Sequence, residues 1–241
     1  MSDIPPLNPS EISESDQKYD IWTENLWRIY KTGTHQEVAA LRGINLAVKN
    51  GDFVALKGRS GSGKTTLLNC LGGLDTPTSG KVHIFGEDIA SLKGEQLTNW
   101  RRREIGFVFQ SFGLLPTLSA YENLELALRI SKKRGIELRE RTHFCLELVG
   151  LKKWIYHRPY EMSGGQQQRV AIARALVNKP KLILADEPTG ELDSLTAREI
   201  FSLFKRIAAE ENVTVLVSSH DQLVDEFVDR IVQLRDGQVM I

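Results

Sequence analysis

The chain has only two cysteines among its 241 residues, Cys70 and Cys145. That is too few for a disulfide framework or a four-thiolate zinc site, so the pair reads as reduced packing thiols. It also has no excess of either charge, with 31 Lys and Arg against 31 Asp and Glu. A general nucleic-acid binder carries a basic surplus, and an acidic solvating tail carries the reverse. Both classes are set aside, and no nucleic-acid partner is expected. Long apolar runs are missing too: the apolar stretches are short, whereas a membrane-spanning helix needs ~20 predominantly apolar residues. The opening residues Met1-Ser2-Asp3-Ile4-Pro5-Pro6 show neither the basic nor the apolar region of a secretory signal. What remains is a chain that is 41% hydrophobic and 26% charged, the mix of a globular protein with a real core.

Along the chain, residues 1–20 read as a disordered arm, rich in proline, serine and acids, with little to bury. Folded sequence is expected from Ile21. Short apolar runs at 45–48, 53–56, 81–85 and 105–109 have strand length and turn-like flanks. From 119 to 150 the spacing becomes helical: Leu124, Ala127, Leu128, Phe144 and Leu148 recur three or four apart. Then come a helix at 166–178, a buried strand at 182–185, a helix at 195–210 and a buried strand at 213–217. Strands alternating with helices of that length predict parallel pairing in a layered α/β core, with the helical stretch as an insert.

Two motifs carry chemistry. Gly58-Arg59-Ser60-Gly61-Ser62-Gly63-Lys64-Thr65 fits the phosphate-loop pattern G-x-x-x-x-G-K-[ST], between a strand and a helix. The glycines let the backbone wrap an anion, whose charge the N–H groups and helix dipole then meet. Lys64 reaches the β- and γ-phosphates and the Thr65 hydroxyl ligates Mg²⁺. An NTP site is expected. The second motif is Asp186-Glu187, placed at the carboxyl end of a buried strand, where open parallel sheets bind ligands. Asp186 is expected near Mg²⁺ through water, and Glu187, on the other side of the strand, orients and deprotonates the attacking water.

With Ser163-Gly164-Gly165-Gln166 added, the chain from about 21 to 241 resembles the nucleotide-binding subunits of ATP-binding cassette (ABC) transporters. Seven elements stand in that family's order: Tyr30, the phosphate loop, Gln110, the signature from Met162 to Gln166, the strand ending in Asp186-Glu187, the loop Gly190-Glu191-Leu192-Asp193, and His220. The resemblance implies a P-loop NTPase of the ABC type: an α/β core with an antiparallel β subdomain and a helical subdomain inserted at about 111–165. It implies ATP and Mg²⁺ as ligands. Tyr30 would stack on adenine, and Gly58 through Thr65, with Thr66, would surround the phosphates. Thr65, Gln110 and Asp186 would hold the metal. Lys64, Gln110, Glu187 and His220 would act in hydrolysis, His220 by contacting the γ-phosphate and steadying Glu187. Ser163, Gly164, Gly165 and Gln166 would grip the γ-phosphate held by a second subunit, with Asp193 also acting across that dimer.

The stretches 71–80, 109–118 and 185–190 look like the branch serving lipoprotein-releasing and macrolide-exporter systems, the LolD/MacB type. That implies an ATPase driving a separate membrane permease from the cytoplasmic face of the inner membrane. A force-relay or signalling ATPase of the same branch shares every motif. A soluble ABC ATPase of DNA repair or translation is disfavoured, because the interval from Lys64 to Ser163 holds one compact helical stretch and there is one cassette. Three positions depart from the usual pattern: Met162 opens the signature in place of leucine, Arg59 stands where small residues or proline are common, and Glu191 stands where asparagine or alanine is common. Arg59 either adds charge near the nucleotide or is solvated; both readings stay open. Arg101-Arg102-Arg103 is read as a solvated face, the tryptophans as packing residues, and His35, His83, His143 and His157 as satisfied or solvated. The segment from about Phe112 to Tyr121, with Phe112, Leu114, Leu115 and Leu118 broken up by Gly113 and Pro116, is expected to form a groove for a permease helix; the alternative, that these side chains close the insert's own core, stays open.

Overall fold

The computed structural model describes residues 19–32 and 36–240. Two long strands, β1 (Tyr19–Thr32) and β2 (Gln36–Lys49), form an antiparallel ribbon; β3 (Phe53–Lys57) then leads into α1 (Lys64–Leu71). β4 (Ser79–Ile84), β5 (Glu87–Asp88), α2 (Glu95–Glu104) and β6 (Ile105–Val108) follow. The insert holds α3 (Ala120–Ile130) and α4 (Gly135–Leu148), and α5 (Gly164–Leu176) returns the chain to the core. β7 (Leu182–Asp186), α6 (Ser194–Glu211), β8 (Thr214–Ser219), β9 (Arg230–Arg235) and β10 (Gln238–Met240) complete it.

The strands sort into two sheets. One is antiparallel, in the order β2-β1-β4-β5; the other runs β10-β9-β3-β8-β7-β6 and is parallel except for its edge strand β10. The central strands are apolar at nearly every position because both faces are covered. Phe53, Ala55, Ile183, Ala185, Val215 and Val217 face a core shared with α3 to α6. Their neighbours Val54, Leu56, Leu182, Leu184 and Leu216 face a second core, shared with α1 and the antiparallel sheet. The period-two alternation of the pleat divides one apolar run between two cores.

Helix ends follow from side-chain chemistry. Ser119 caps α3 with Glu122 reciprocating, and Ser163 caps α5 with Gln166 reciprocating. Asp193 caps α6 by accepting from the N–H groups of Leu195 and Thr196.

Several expectations need correction. The arm was expected to run to residue 20, and positions 1–18 lie outside the described residues. Tyr19 and Asp20, however, belong to β1. Asp20 is buried because its carboxylate accepts from Asn50 Nδ2 at 3.1 Å and from the Thr214 hydroxyl, tying the antiparallel sheet to β8. The 81–85 strand exists as β4 but pairs antiparallel with β1 rather than joining the parallel sheet. The helical stretch at 119–150 is two helices, parted where Lys132 (φ 64°) and Gly135 (φ 68°) turn the backbone left-handed. The arginine run is the last turn of α2, a helix the sequence reading left out. Arg101 donates to Gly73 O at 2.8 Å, so it is not merely solvated, and the run offsets the helix dipole.

The packing residues behave as expected. Trp22 and Trp100 are buried. His83 packs on Trp22 at 4.8 Å between ring centroids, but its Nε2 is buried with no hydrogen-bond partner among the described residues, so it is neither satisfied nor solvated, contrary to expectation. His143 and His157 lie against Tyr121 and Trp154, whereas His35 falls outside the described residues. Burial pushes the thiols of Cys70 and Cys145 up to about 12 and about 11, which keeps both protonated.

The helix α5 packs tightly on β6 at Gly106. A Cβ there would stand 2.6 Å from the Ala175 carbonyl oxygen, a backbone atom with no room to yield. Gly106→Ala is therefore expected to destabilise the protein by ~1–3 kcal/mol through overpacking. Urea denaturation checks this, and an unchanged midpoint would show that α5 can shift at no cost.

Candidate functional site

The site is built at the carboxyl ends of β3, β7 and β8. β3 delivers the phosphate loop into α1, whose first residue is Lys64. Gly58 is required by crowding: a Cβ there would lie 2.3 Å from Leu234 O and 2.5 Å from Ser62 Oγ. Gly63 needs its left-handed φ of 103°, and a Cβ there would meet Ala40 O at 2.6 Å. Gly237 braces the loop from behind by donating to Ser62 O at 3.1 Å. Ser62 Oγ is buried with no hydrogen-bond partner among the described residues. Arg59, Ser60 and Gly61 form an exposed tip, and Gly61 has open space on the side where a Cβ would project.

Lys64 is only 5% exposed, and its ammonium donates to Gly58 O at 3.0 Å and Arg59 O at 3.3 Å. Nζ also stands 3.6 Å from Glu187 Oε1. On the other side of that carboxylate, His220 Nδ1 lies 3.4 Å from Oε2. The structure thus brings Lys64, Glu187 and His220 together. Thr65 joins them by donating its hydroxyl to Asp186 Oδ1 at 3.1 Å. Thr66 follows on α1 and touches the Tyr30 hydroxyl. Gln110, just past β6, has its carboxamide against Gly190, where a Cβ would sit 3.1 Å from Nε2.

Ser218 was missed by the sequence reading, although it organises both acids. Its hydroxyl donates to Asp186 Oδ1 at 2.6 Å and accepts from Glu187 N–H at 2.9 Å. Glu187 itself is held at φ 45°, a left-handed backbone that a non-glycine residue seldom adopts. Ser218 O also accepts from Glu187 N–H at 3.2 Å, and Glu187 O accepts from Gly190 N–H at 3.1 Å. The strained backbone of Glu187, tied down on both its N–H and its C=O, makes this residue a candidate for function. A serine at the end of a buried strand has no distinctive spacing, so only the paired register of β7 and β8 reveals it.

Tyr30 lies on β1 with its hydroxyl donating to Asp75 Oδ2 at 2.6 Å. The Arg28 guanidinium covers one ring face, 4.4 Å from the centroid, and reaches Asp75 Oδ1 at 2.7 Å. One face of the ring is thereby engaged. Burial raises the Tyr30 phenol, and the Asp75 hydrogen bond adds to it. Burial opposes ionisation of Asp75, but the Tyr30 and Arg28 bonds overcome it and leave that carboxyl below its usual range.

The signature forms a second, separate group. Ser163 accepts from Gln166 N–H at 3.3 Å, and Gln166 Oε1 accepts from Ser163 N–H at 2.9 Å. A Cβ on Gly164 would stand 3.3 Å from Leu192 Cδ2, and one on Gly165 only 2.5 Å from Thr196 Cγ2. The glycines are thus fixed by the loop that carries Asp193, whose carboxylate also accepts from the Thr196 hydroxyl at 2.7 Å. That hydroxyl and the helix N–H groups hold the Asp193 carboxyl below its usual range.

In the segment expected to form a groove, Phe112 is half-buried with φ 57°, Leu114 packs on the core and Leu115 is 45% exposed. Arg174 of α5 clamps the segment by donating to Phe112 O at 3.0 Å and to Gly113 O.

Thr65, Asp186 and Gln110 offer only hard oxygen donors, the set Mg²⁺ prefers. Among the described residues no group of three His, Cys, Asp or Glu could hold a metal by itself. These donors therefore fit an ion that takes its remaining ligands from phosphate and water, as Mg²⁺ does in nucleotide sites.

Comparison with known proteins agrees with this geometry. The family model described as ABC transporter matches residues 41–190. The chain is 48% identical over 221 residues to the uncharacterized ABC transporter ATP-binding protein MJ0796 of Methanocaldococcus jannaschii, covering 90% of this chain and 93% of that one. It is also 48% identical to the macrolide export ATP-binding/permease protein MacB of Syntrophobacter fumaroxidans, of whose length it spans only 30%. Among solved structures, the dimeric post-hydrolysis state of the MJ0796 cassette bound to ADP and Pi superposes with a TM-score of 0.83 at 46% identity, covering 92% of this chain and 97% of that one. CbiO1 of Clostridium perfringens, part of an ABC transporter complex, gives 0.85 at 30% identity, covering 93% and 88%. Motifs, fold and relatives converge, and the chain belongs to the ABC transporter family as one of its ATP-binding, ATP-hydrolysing cassettes.

Proposed function

We propose that this cassette binds Mg²⁺·ATP at the phosphate loop, closes with a second copy around two ATP, and thereby drives a separate membrane permease of the MacB/LolD type. The observation that carries the reading is the convergence of Lys64, Thr65, Asp186, Glu187 and His220 on one point above the sheet. The loop N–H groups and Lys64 receive the β- and γ-phosphates, and the Tyr30 ring face opposite Arg28 receives adenine. Thr65 and Gln110 hold Mg²⁺, with Asp186 behind them through water. Bound there, the ion would neutralise charge on the phosphate oxygens. Glu187 accepts the proton of the attacking water as the water oxygen bonds to the γ-phosphorus and the bond to the β,γ-bridging oxygen breaks, releasing ADP and phosphate. His220 braces the carboxylate from its far side and faces the γ-phosphate.

The signature group supplies the other half of each site. Ser163 caps its own helix with its side chain, so its hydroxyl proton and the first N–H groups of α5 remain for an anion brought by the partner. The dimeric form of the MJ0796 cassette supports this division. Among the described residues no helix is long and apolar enough to cross a membrane. Attachment to the cytoplasmic face then falls to the permease, docked at the segment around Leu115.

Glu187→Gln is expected to lower the steady-state ATPase rate by ~10²–10⁴-fold, since it removes the general base and keeps the loop. ATP binding should persist, and size-exclusion chromatography should show a nucleotide-free monomer converted by ATP to a dimer. Hydrolysis near the wild-type rate would remove Glu187 from this role. Lys64→Ala should instead weaken ATP binding itself by ~10–100-fold, by loss of a charge-assisted contact; calorimetry reads the difference.

The docking reading is tested with Leu115→Glu, which charges an exposed side chain and spares the packed Leu114. The variant should stay folded and keep its basal ATPase, yet no longer co-purify with the permease. Undiminished co-purification would place the docking surface elsewhere.

A further inference from the structure

Two departures from the family pattern, Arg59 and Glu191, carry opposite charges, and among the described residues neither has an ion-pair partner. Arg59 sits on the exposed tip of the phosphate loop and Glu191 on the exposed loop before α6. Among the described residues, neither side chain has an ion-pair partner within 4.0 Å, although Lys57 and Lys64 on either side of Arg59 both do. Asp193, the other acid of that loop, is spent on its own helix: it accepts from Leu195 N–H at 3.0 Å, Thr196 N–H at 3.1 Å and Thr196 Oγ1 at 2.7 Å. Glu191 is thus the carboxylate that this loop leaves to be paired from outside.

The packing of the signature fixes the loop that carries Glu191. Leu192 and Thr196 press on Gly164 and Gly165 so tightly that a Cβ on either glycine would meet them. The 190–196 loop and the signature therefore form one rigid face. If that face receives the nucleotide held on a partner's phosphate loop, as the proposed sandwich requires, Glu191 arrives beside the partner's exposed tip. There the open side of Gly61 leaves room, and Arg59 is the exposed cation.

We propose that Arg59 of one protomer forms an ion pair with Glu191 of the partner, twice in a two-fold symmetric dimer, as a charge lock specific to this chain. The inference rests on the sandwich reading above. It assigns Arg59 to the dimer contact rather than to its own nucleotide, and it makes closure select for a second copy of this chain over cassettes that lack the pair. In an isologous dimer both contacts form or fail together. Because the pair sits at the rim of the contact, salt should weaken it.

The test uses the full chain carrying Glu187→Gln, with ATP, and reads the dimer dissociation constant by analytical ultracentrifugation. Arg59→Glu alone sets Glu against Glu at both contacts, and Glu191→Arg alone sets Arg against Arg. Each is expected to weaken the homodimer by about tenfold or more. Mixing the two variants restores a complementary pair at both contacts. The mixture should therefore form heterodimers with a constant within about threefold of the parent, and the rescue should shrink at high salt. A pair within one chain could not be rescued by mixing. If the parent dimerises with ATP but the mixture does not, the charge lock is overturned and the sandwich stands. If the parent itself stays monomeric with ATP, the sandwich reading fails and the charge lock fails with it. To keep a damaged nucleotide site from imitating a lost contact, ATP binding to each monomeric variant is measured by fluorescence. A Glu191→Arg variant that binds ATP normally and dimerises as tightly as the parent also overturns the proposal.

Discussion

The site depends on one buried hydroxyl. Ser218 Oγ donates to the Asp186 carboxylate and accepts from the Glu187 amide, so a single side chain sets the positions of two acids to which the proposed mechanism gives different tasks. It can do so only because β7 and β8 run parallel in the register that pairs Asp186 with Ser218. A slip of one residue would send every side chain of the strand to the opposite face. What forbids the slip is the division of each central strand between two apolar cores, since Ile183 and Ala185 face one core and Leu182 and Leu184 the other. Catalytic geometry here is a consequence of hydrophobic register.

The charges show the same economy. Lys64 is almost fully enclosed, yet it is not left to its own desolvation: two loop carbonyls accept from it and Glu187 stands 3.6 Å away. A buried cation with neutral acceptors and a single nearby carboxylate keeps most of its positive charge for an incoming anion. Glu187 in turn lies between two nitrogen groups, which holds it in place without a fully formed salt bridge to either. His220, 65% exposed, can move with whatever occupies the space before it.

Legibility in the sequence tracked how specific a residue's demand was. The phosphate loop was readable because only glycine tolerates the crowding at Gly58 and the backbone at Gly63. Asp186 and Glu187 were readable because they end an apolar strand of the right length. The long ribbon of β1 and β2 was mostly invisible: its strands carry charged residues and several register shifts, which break the simple alternation on which a strand is recognised. Helix α2 was hidden by the reverse problem, since its inward face rests chiefly on Leu97 and Trp100 while three arginines fill its last turn. Asp20 and Thr214 are far apart in sequence, and neither residue type in isolation signals a buried contact. The Asp75–Arg28–Tyr30 cluster escaped for the same reason, because each member acquires its meaning from two others.

The two groups of functional residues in one chain are joined by a short, stiff segment rather than by a network spread through the core. Glu187 O accepts from Gly190 N–H, Leu192 packs on Gly164, and Asp193 caps α6. The carboxylate that would attack through water and the loop that fixes the signature thus lie within a few bonded residues of each other. Gln110 lies across Gly190 in the same place, at the start of the segment that Arg174 clamps to α5. Under the proposed sandwich, a change in charge at the phosphate loop would meet, at Gly190, both the face proposed for a partner cassette and the strand end leading to the helical insert. A Cβ at that meeting point would stand 3.1 Å from the Gln110 amide nitrogen, so any larger residue there would first be felt by the Gln110 carboxamide.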